Sequence, residues 1–584
     1  MGAHVLVVVA FALPAVALWW HAWDGHLSST LTCACGDAGQ TVWFLAWPAY
    51  ALSHGLDPFF SSAVQAPYGV NLLTNASAVP IGVLLAPVTL TAGPIVATNV
   101  ALTLCPALSA WACWVACRRL VTWRPAGAIA GLLFGYSPFV VTNLALGHLG
   151  LALLVAPPLL VVATRQLLFG PASSRRRWGA GVGALLGAQF LISSEIFAIV
   201  VVIGVPCTLA AAVVGRRLLA PRPQLLRALG LAGIVVAAVL AFPMWFFLAG
   251  PQHLHGPLWQ GAPLQGNALT ALWDPGHYRA PAGTLLRFGG YEGRAGPPSS
   301  YLGPVVLGVG GGALAVAWRR RTAWLLALGA VVAAVCSFGA VLWLVPGRVV
   351  DMWMPWKVFG ALPLLGDIIP QRFSAVTDLC IALLIGVGVD AAWRLGAERG
   401  HAAKRRSLAL FIVLAVSVAT VASAWWTYQV PFATRRLAPP SWYAVVAPRL
   451  PAGTVVLSYP FPFSLDGSSG SMVWQALDGM RFRLAGGYVK EPGPGGRPLS
   501  DRPVPQPYVL LARLTARAAG PMPAIDGRDV AQLRNSLTRW RVGEVVVVDR
   551  GAHPASTVGL LSRVLQRPPR SVMGAWVWKV PASP

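Results

Sequence analysis

The sequence has 584 residues, of which 56% are hydrophobic and only 11% charged, and its mean hydropathy is +0.64. Soluble proteins carry about a quarter charged residues, so this composition excludes an ordinary soluble enzyme and predicts repeated apolar runs that cross a bilayer. The net charge of +25 would also suit a nucleic-acid-binding protein, but the distribution of the basic residues argues against one.

Basic residues are absent before Arg118 and then occur in short bursts between apolar runs. A nucleic-acid-binding protein gathers them on one folded face, whereas bursts in alternate loops are typical of the cytoplasmic loops of membrane proteins. We therefore interpret the charge as membrane topology and predict no nucleic-acid partner. Arg greatly outnumbers Lys, a bias typical of a G+C-rich genome, which favours a bacterial plasma membrane. The bursts are Arg118–Arg124, Arg165–Arg177, Arg216–Arg227, Arg319–Arg321 and Arg394–Arg406.

The apolar runs predict eleven transmembrane helices, with the N-terminus in the cytoplasm and the C-terminus outside. Residues 43–53 form an amphipathic segment, and residues 79–93 are short and interrupted by Pro80 and Pro87, so both are predicted to lie at the membrane interface. If residues 79–93 crossed the bilayer, every later basic burst would lie outside, against the charge rule. The predicted spans are 3–21, 96–117, 126–145, 149–168, 179–193, 196–214, 228–249, 303–318, 323–345, 373–393 and 407–427.

The character of the chain changes near residue 430. Thr454–Tyr459 and Val542–Asp549 are typical of buried strands, and Val530–Trp540 of a helix. Alternation of strands and helices predicts a small extracytoplasmic α/β domain. The predicted fold is therefore a polytopic α-helical membrane protein, with a transmembrane domain over residues 1–429 and an α/β domain over residues 430–584.

An acidic residue in the first external loop, residues 22–95, is the first candidate for chemistry. Asp37 lies in Cys35–Gln40 (CGDAGQ), where glycines permit a tight turn that could aim the carboxylate into a cavity above the bilayer. A general base for a hydroxyl needs such a partly dry position beside a lipid-borne reactant. A solvated loop acid, or a helix N-cap for the segment near Thr41, is the alternative interpretation.

Two external turns carry further ionisable groups. Glu195 interrupts an apolar stretch long enough for two crossings, and an ionisable residue at membrane depth predicts a functional site. His148 occupies the comparable turn between the third and fourth spans. Asp37, Glu195 and His148 therefore fall on one side of the membrane, where they could converge on one cleft. A turn acid in headgroup water and an interfacial histidine are the alternatives.

Cations in the external loop 346–372 are candidates for contacts to phosphate. Arg372 begins a span on the external side, against the charge rule, and Lys357 lies between aromatic residues. A guanidinium in this position suits a lipid phosphate, although simple snorkelling is the alternative. No metal site is predicted, because His253 and His255 have no adjacent carboxylate. The further candidates for a substrate cleft are Gln40, Trp43, Asp57, Asn71 and Tyr291.

The chain resembles the GT-C superfamily of integral membrane glycosyltransferases. The resemblance covers the whole architecture: a first span, a long first external loop with an early acid, interfacial helices, and a C-terminal domain outside. An uncharacterised bacterial subgroup is indicated by three segments, Asp37–Trp47 (DAGQTVWFLAW), Ala66–Leu72 (APYGVNL) and Ile369–Phe373 (IPQRF). Unlike the acid of many members, Asp37 has no second acid beside it.

The resemblance implies that the chain moves a sugar from a polyprenyl-phosphate donor to an extracytoplasmic glycan, lipid or protein. Asp37 is implied as the base that deprotonates the acceptor, Arg372 as a phosphate contact, and Glu195 and His148 as supporting groups. It also implies membrane lipids as partners and inversion at the anomeric carbon. No cofactor is firmly predicted, and a divalent metal stays open. The alternatives are a transporter or flippase of lipid-linked substrates and a non-enzymatic envelope membrane protein.

Overall fold

The structure is a computed structural model that describes residues 2–32, 36–215, 223–258, 266–274, 287–288, 291–292, 300–345, 348–399, 403–426, 430–463, 468–499, 506–515 and 524–581. The chain divides into two compact units. The helical unit comprises residues 1–20, 102–241 and 261–432, and the mixed unit comprises residues 21–101, 242–260 and 433–584. The first predicted external loop thus belongs to the same compact unit as the C-terminal region. The assignment of residues 1–429 to the membrane and 430–584 to the outside stays a prediction.

Helices make up most of the described chain. The helices up to residue 250 are α1 (Gly2–Leu18), α2 (Trp20–Trp23), α3 (Gly36–Ser53), α4 (Val79–Leu84), α5 (Ala86–Ala92), α6 (Pro94–Cys117), α7 (Arg124–Gly135), α8 (Pro138–Ala145), α9 (Leu149–Ala152), α10 (Ala156–Phe169), α11 (Arg175–Ile192), α12 (Ser194–Val214) and α13 (Pro223–Ala249). The later helices are α14 (Pro304–Val316), α15 (Arg321–Ser337), α16 (Trp356–Phe359), α17 (Ser374–Arg399), α18 (Ala403–Trp425), α19 (Ser441–Val445), α20 (Gly470–Leu477), α21 (Gln506–Thr515), α22 (Gly527–Arg539) and α23 (Pro554–Leu565).

Strands are short outside the C-terminal region. They are β1 (Thr30–Leu31), β2 (Phe60–Ser61), β3 (Val70–Asn71), β4 (Arg287–Phe288), β5 (Tyr291–Glu292), β6 (Leu342–Val345), β7 (Arg348–Val350), β8 (Arg435–Arg436), β9 (Val455–Tyr459), β10 (Arg483–Leu484), β11 (Glu544–Val548), β12 (Arg570–Val572) and β13 (Ala575–Lys579).

Several helices have the length and composition of membrane spans. Within the described residues, five helical segments, one of them formed by α9 and α10 together, can cross a bilayer, and α7 with α8 forms a sixth span that bends by 42°. The chain is therefore a multi-pass membrane protein. Each of the eleven predicted spans overlaps helical residues, but the number of crossings stays a prediction, because α11 and four shorter apolar helices, α1, α14, α15 and the apolar part of α18, are not among these candidate spans.

Small residues and proline shape the helical unit near α7. Pro138 begins α8 and has no N–H to continue the hydrogen bonding of α7, so the span bends there. Gly131 lies so close to α6 that an added Cβ would stand 2.8 Å from the carbonyl oxygen of Ala110. Glycine at this position therefore permits the close approach of two membrane helices.

The predicted span over residues 323–345 is too long. Helix α15 ends at Ser337, Gly339 follows with a φ of +77°, and residues 342–345 form β6, which pairs with β7 in an antiparallel hairpin. Glycine with positive φ is a common helix terminator. The helix predicted over residues 43–53 also differs, because α3 begins at Gly36 and buries 13 of its 18 residues.

The mixed unit contains a five-stranded sheet in the order β10-β9-β11-β13-β12. Strands β10, β9 and β11 are parallel, whereas β13 runs antiparallel to both β11 and β12. Strands β9 and β11 lie where the sequence predicted strands, and all five residues of each are buried. The first loop joins this sheet beyond β10, since the Leu484 N–H donates to Ala63 and the Ala66 N–H donates to Leu484.

Candidate functional site

Asp37 lies in the first turn of α3, in the mixed unit. Its side chain is half-buried, and the next three residues, Ala38, Gly39 and Gln40, are buried. A carboxylate in the first turn of a helix is stabilised by the helix dipole and by the nearby free N–H groups. The structure therefore places Asp37 in the first turn of a helix rather than in an open loop, and its role as a base stays a prediction.

The helix that carries Asp37 packs against the C-terminal region of the same unit. The Gln40 amide nitrogen donates to the backbone carbonyl of Tyr488, and the Trp43 indole N–H donates to Oε1 of Gln475 at 2.7 Å. Gln40 and Trp43 lie one turn apart on α3. Gln40 and Trp43 were predicted as cleft residues, and the structure uses both to hold α3 in place.

Gln475 is the centre of a buried polar network. It is fully buried in α20, and its amide nitrogen donates to the carbonyls of Ala63 at 2.8 Å and Phe482 at 2.7 Å. With the bond from Trp43, the amide oxygen is also satisfied. A buried network is stabilising only when its members are satisfied in this way. Sequence reasoning missed Gln475, since an amide within an apolar helix gives no sign of its distant partners.

A second contact fixes the segment after Tyr488. The Asn75 amide nitrogen donates to the Lys490 carbonyl at 3.1 Å, and the Lys490 N–H donates to Oδ1 of Asn75 at 2.7 Å. Asn75 thus bonds reciprocally with one residue that lies 415 positions along the chain. With Gln40, it holds residues 488–490 against the first loop, next to the helix start that bears Asp37.

Asp57 and Asn71, predicted as cleft residues, have local structural partners. Asp57 is exposed, and its Oδ1 accepts from the Phe59 N–H at 2.8 Å, which forms a turn. Asn71 is fully buried and donates to the carbonyls of Phe246 at 2.8 Å and Pro251 at 3.2 Å. Any contact of either side chain with substrate stays a prediction.

Glu195 and Arg372, in the helical unit, form an ion pair through Oε2 and Nη1. The other carboxylate oxygen of Glu195 accepts from the Ile369 N–H at 2.8 Å. Each of the two side chains is only 17% exposed, so the pair is shielded from water and from the salt that weakens surface ion pairs. Glu195 and Arg372, which the sequence singled out separately, are therefore in direct contact.

The turn that carries His148 lies beside the turn that precedes Glu195. An added Cβ on Gly150 would stand 2.7 Å from the carbonyl oxygen of Ile192, and Ser193 caps α12 by accepting from the Ile196 N–H. His148 Nδ1 lies 2.9 Å from Oδ1 of Asn143, which fixes the ring. The structure thus brings the His148 turn and the turn before Glu195 together. A cleft shared with Asp37 stays a prediction.

Lys357 lies on α16, the helix that precedes Arg372 in the chain. It is exposed on α16, and the preceding Trp356 is buried against Phe373, with ring centroids 4.9 Å apart. Phe373 directly follows Arg372, so this aromatic contact ties α16 to the chain at Arg372. Tyr291 falls in β5, but its side chain lies outside the described residues.

A small cavity lies in the helical unit at the bend between α7 and α8. Its volume is about 20 Å³, enough for one water molecule. Asp378 and Ser137 line it among apolar side chains, and Asp378 is only 4% exposed. Across the part of the chain that the structure describes, no three His, Cys, Asp or Glu side chains gather in a way that could hold a metal ion.

No protein-family model and no curated protein matches the sequence. Solved structures do match it. The arabinofuranosyltransferase AftD from Mycobacteria aligns with a TM-score of 0.55 and 14% identity over 99% of this chain, which spans 40% of the length of that protein. The chain therefore shares its fold with this arabinofuranosyltransferase. This likeness confirms the GT-C architecture that the sequence predicted, at the level of fold.

Two further similarities are weaker. The oligosaccharyltransferase from Archaeoglobus fulgidus aligns with a TM-score of 0.47 and 12% identity over 93% of this chain and 68% of its own. ArnT from Cupriavidus metallidurans, bound to undecaprenyl phosphate, aligns with a TM-score of 0.44 and 12% identity over 98% of this chain and 97% of its own. At these scores neither bears on the assignment of the GT-C fold.

Proposed function

We propose that the protein is a membrane glycosyltransferase that moves a sugar from a polyprenyl-phosphate donor to an extracytoplasmic acceptor. The observation that carries the proposal is the likeness in fold to an arabinofuranosyltransferase along 99% of this chain. The placement of Asp37 supports it, because a half-buried carboxylate at a helix start is held in one position, as a general base must be.

In this reaction Asp37 accepts the proton of the acceptor hydroxyl. The acceptor oxygen forms a bond to the anomeric carbon of the sugar while the bond from that carbon to the phosphate oxygen breaks, so the configuration inverts. Polyprenyl phosphate leaves with the electron pair. No atom of the chain forms a covalent bond to the sugar, so one acid is sufficient, which agrees with the absence of a second acid beside Asp37.

The phosphate of the donor binds at Arg372 and Lys357. A guanidinium carries five N–H donors, so its ion pair with Glu195 does not by itself exhaust its capacity to bind an anion. Glu195 is a positioning residue, because its carboxylate is fixed by both Arg372 and the Ile369 N–H. His148 supports the neighbouring turn. The C-terminal region lies outside the cytoplasm, as the positive charge of the alternate loops requires.

The test is transfer by the purified protein in lipid nanodiscs, with a panel of radiolabelled polyprenyl-phosphate sugars and extracted envelope glycans. We expect Asp37→Asn to lower transfer by about 10²–10⁴-fold with an unchanged unfolding temperature. Asp24→Asn, which changes an exposed acid of the same loop, is the matched control and should retain activity. Full transfer by Asp37→Asn would overturn the proposal.

A second candidate function is transport of lipid-linked substrates across the bilayer. The observation in its favour is Asp378, a carboxylate buried in α17 beside a cavity at a bent span, because broken helices and buried acids mark transport sites. It predicts that proteoliposomes translocate a fluorescent polyprenyl-phosphate sugar and that Asp378→Asn stops this. Translocation at the rate of empty liposomes would exclude it.

A further inference from the structure

The positive charge of the chain is not explained by membrane topology alone. Residues 433–584 carry 19 Lys and Arg against 8 Asp and Glu, a net charge of +11, so nearly half of the total of +25 lies in the C-terminal region. The alternation of cytoplasmic loops therefore does not account for the positive charge of this region. The five-stranded sheet determines where much of this charge lies.

Several of these cations are brought to one edge of the sheet. Parallel strands β9, β10 and β11 begin at this edge, with Arg483 opposite Val455, and β13 ends there, with Lys579 opposite Glu544. Arg541 lies three residues before β11, and Arg570 opens β12. We call this set the basic edge; its members are Arg449, Arg481, Arg483, Arg541, Arg570 and Lys579.

Two arginines of the basic edge are fixed by backbone carbonyls. Arg481 Nε donates to Leu450 at 2.8 Å, and Arg483 Nε donates to Ser62 at 2.7 Å. Burial and the nearby positive charge of Arg541 lower the pKa of Arg483, which indicates that these cations are close together. Like charges held together without a counterion are costly, so this arrangement favours binding of an anion.

Acidic side chains neutralise only part of this charge. Asp478 interacts with Arg481, and Glu544, which is only 8% exposed, interacts with Lys579. Five of the six cations are exposed, and Arg483 is half-buried. Five strands about 4.8 Å apart spread the basic edge over roughly 20 Å. A row of this length suits a chain of repeated negative charges better than a single small anion.

We propose that the basic edge binds an anionic glycan, whose carboxylate or phosphate groups pair with these arginines and Lys579. Arginine suits this role because its planar guanidinium binds either group through two parallel hydrogen bonds. The inference deepens and rests on the proposed function, because it assigns the acceptor to the anionic glycans. An anionic membrane surface is the competing partner that the test must exclude.

The test uses the full chain in neutral phosphatidylcholine nanodiscs. The probe is fluorescein-labelled oligogalacturonate of about ten residues, with labelled dextran of equal length as the neutral control, and binding is followed by fluorescence anisotropy in increasing salt. We expect oligogalacturonate to bind, salt to weaken binding, and dextran not to bind. Arg541→Gln with Arg570→Gln, which removes two exposed charges, should weaken binding about tenfold.

The matched control is Arg513→Gln with Arg528→Gln. Both arginines are exposed and lie away from the basic edge. Arg528 lies in the first turn of α22, whose other end leads to β11. Arg513 lies near Thr515, which accepts from the Phe461 N–H beyond the end of β9. This variant should bind normally. Equal weakening in both double variants, or binding to phosphatidylglycerol vesicles but not to oligogalacturonate, would overturn the inference.

The two proposals fail in different ways. If the basic-edge variant binds as the native chain does while Asp37→Asn still abolishes transfer, only the assignment of an anionic acceptor fails. If Asp37→Asn transfers normally, the proposed function fails whatever the binding result. Unfolding temperatures of both double variants, compared with that of the native chain, show whether a loss of binding reflects a loss of fold.

Discussion

The carboxylate of Glu195 is bound to the guanidinium of Arg372 and, through its second oxygen, to the backbone N–H of Ile369. This contact joins the first turn of α12 to the residues that lead into α17. Because both side chains are largely shielded from water, removal of either partner leaves the other charge poorly solvated. The pair therefore serves stability, and the proposed function adds a role in binding donor phosphate.

Substitutions at this pair separate the two roles. Arg372→Gln should destabilise the protein by about 3 kcal/mol and raise the KM for donor about tenfold or more, because a phosphate contact is lost with the ion pair. Glu195→Gln should destabilise it less, since the amide oxygen can still accept from the Ile369 N–H. Unfolding temperatures and KM values for donor and acceptor check this. An unchanged donor KM for Arg372→Gln would leave the ion pair a purely structural role.

The positions of the apolar helices and of the turns between them were predictable because hydropathy marks where apolar runs begin and end. Glu195 and His148 were assigned to turns at one depth, and the structure brings those turns together. The contact of Glu195 with Arg372 was not predicted, because hydropathy shows where helices begin and end but not which helices are neighbours. The end of α15 was predictable in principle from Gly339, whose positive φ ends the helix before β6.

The environment of Asp37 was not predictable from local pattern. Its helix was expected to lie in the interface from residue 43, but α3 begins at Gly36 and is buried against α20. The bonds from Gln40 to Tyr488 and from Asn75 to Lys490 span more than 400 residues. The periodicity of apolar residues within one segment does not specify a partner so far along the chain. It therefore predicted the helices and strands but not how they pack against one another.

The carboxylate of Asp390 is a second structural centre and gives the next prediction. It is fully buried and accepts from the N–H groups of Thr122 at 2.9 Å and Trp123 at 2.8 Å. It also pairs with Arg320 at 3.0 Å and Arg394 at 3.2 Å. It thus ties the α6–α7 and α14–α15 connections to α17.

Asp390→Asn should destabilise the protein by about 3–5 kcal/mol, because the amide removes the negative charge between two arginines. Thermal unfolding in detergent micelles measures the effect. Asp351→Asn, which changes an exposed acid of the same unit, is the control and should leave the unfolding temperature unchanged. Equal unfolding temperatures for Asp390→Asn and the native chain would show that the contacts of Asp390 contribute little to stability.

Glu491 gives a prediction on pH. It is only 7% exposed, in the mixed unit, and its burial raises the pKa of the carboxyl well above the ordinary value of 4.5. The folded chain therefore holds this proton more tightly than the unfolded chain does. The contribution of the Glu491 carboxyl to the free energy of unfolding is fully present below pH 4.5. It is lost as the pH rises towards the pKa of the folded state.

Glu491→Gln should remove this pH dependence. The substitution should leave stability unchanged near pH 4 and increase it by about 1–3 kcal/mol near pH 8, because the neutral amide avoids burial of a charge. Unfolding temperatures of both proteins between pH 4 and pH 8 test it. A difference between the two proteins that does not change with pH would show that the carboxyl titrates normally.

The bond from Trp43 to Gln475 gives the last prediction. Trp43→Phe removes the indole N–H and leaves the buried Oε1 of Gln475 without that donor, which should cost about 1–3 kcal/mol. Gln475→Leu should cost more, because it also strips the donor from the carbonyls of Ala63 and Phe482. Trp353→Phe, at a tryptophan that is 66% exposed, is the control. If Asp37 depends on this network for its position, Trp43→Phe should also lower kcat with little change in donor KM, whereas a loss of stability with unchanged kcat would limit the network to holding the fold.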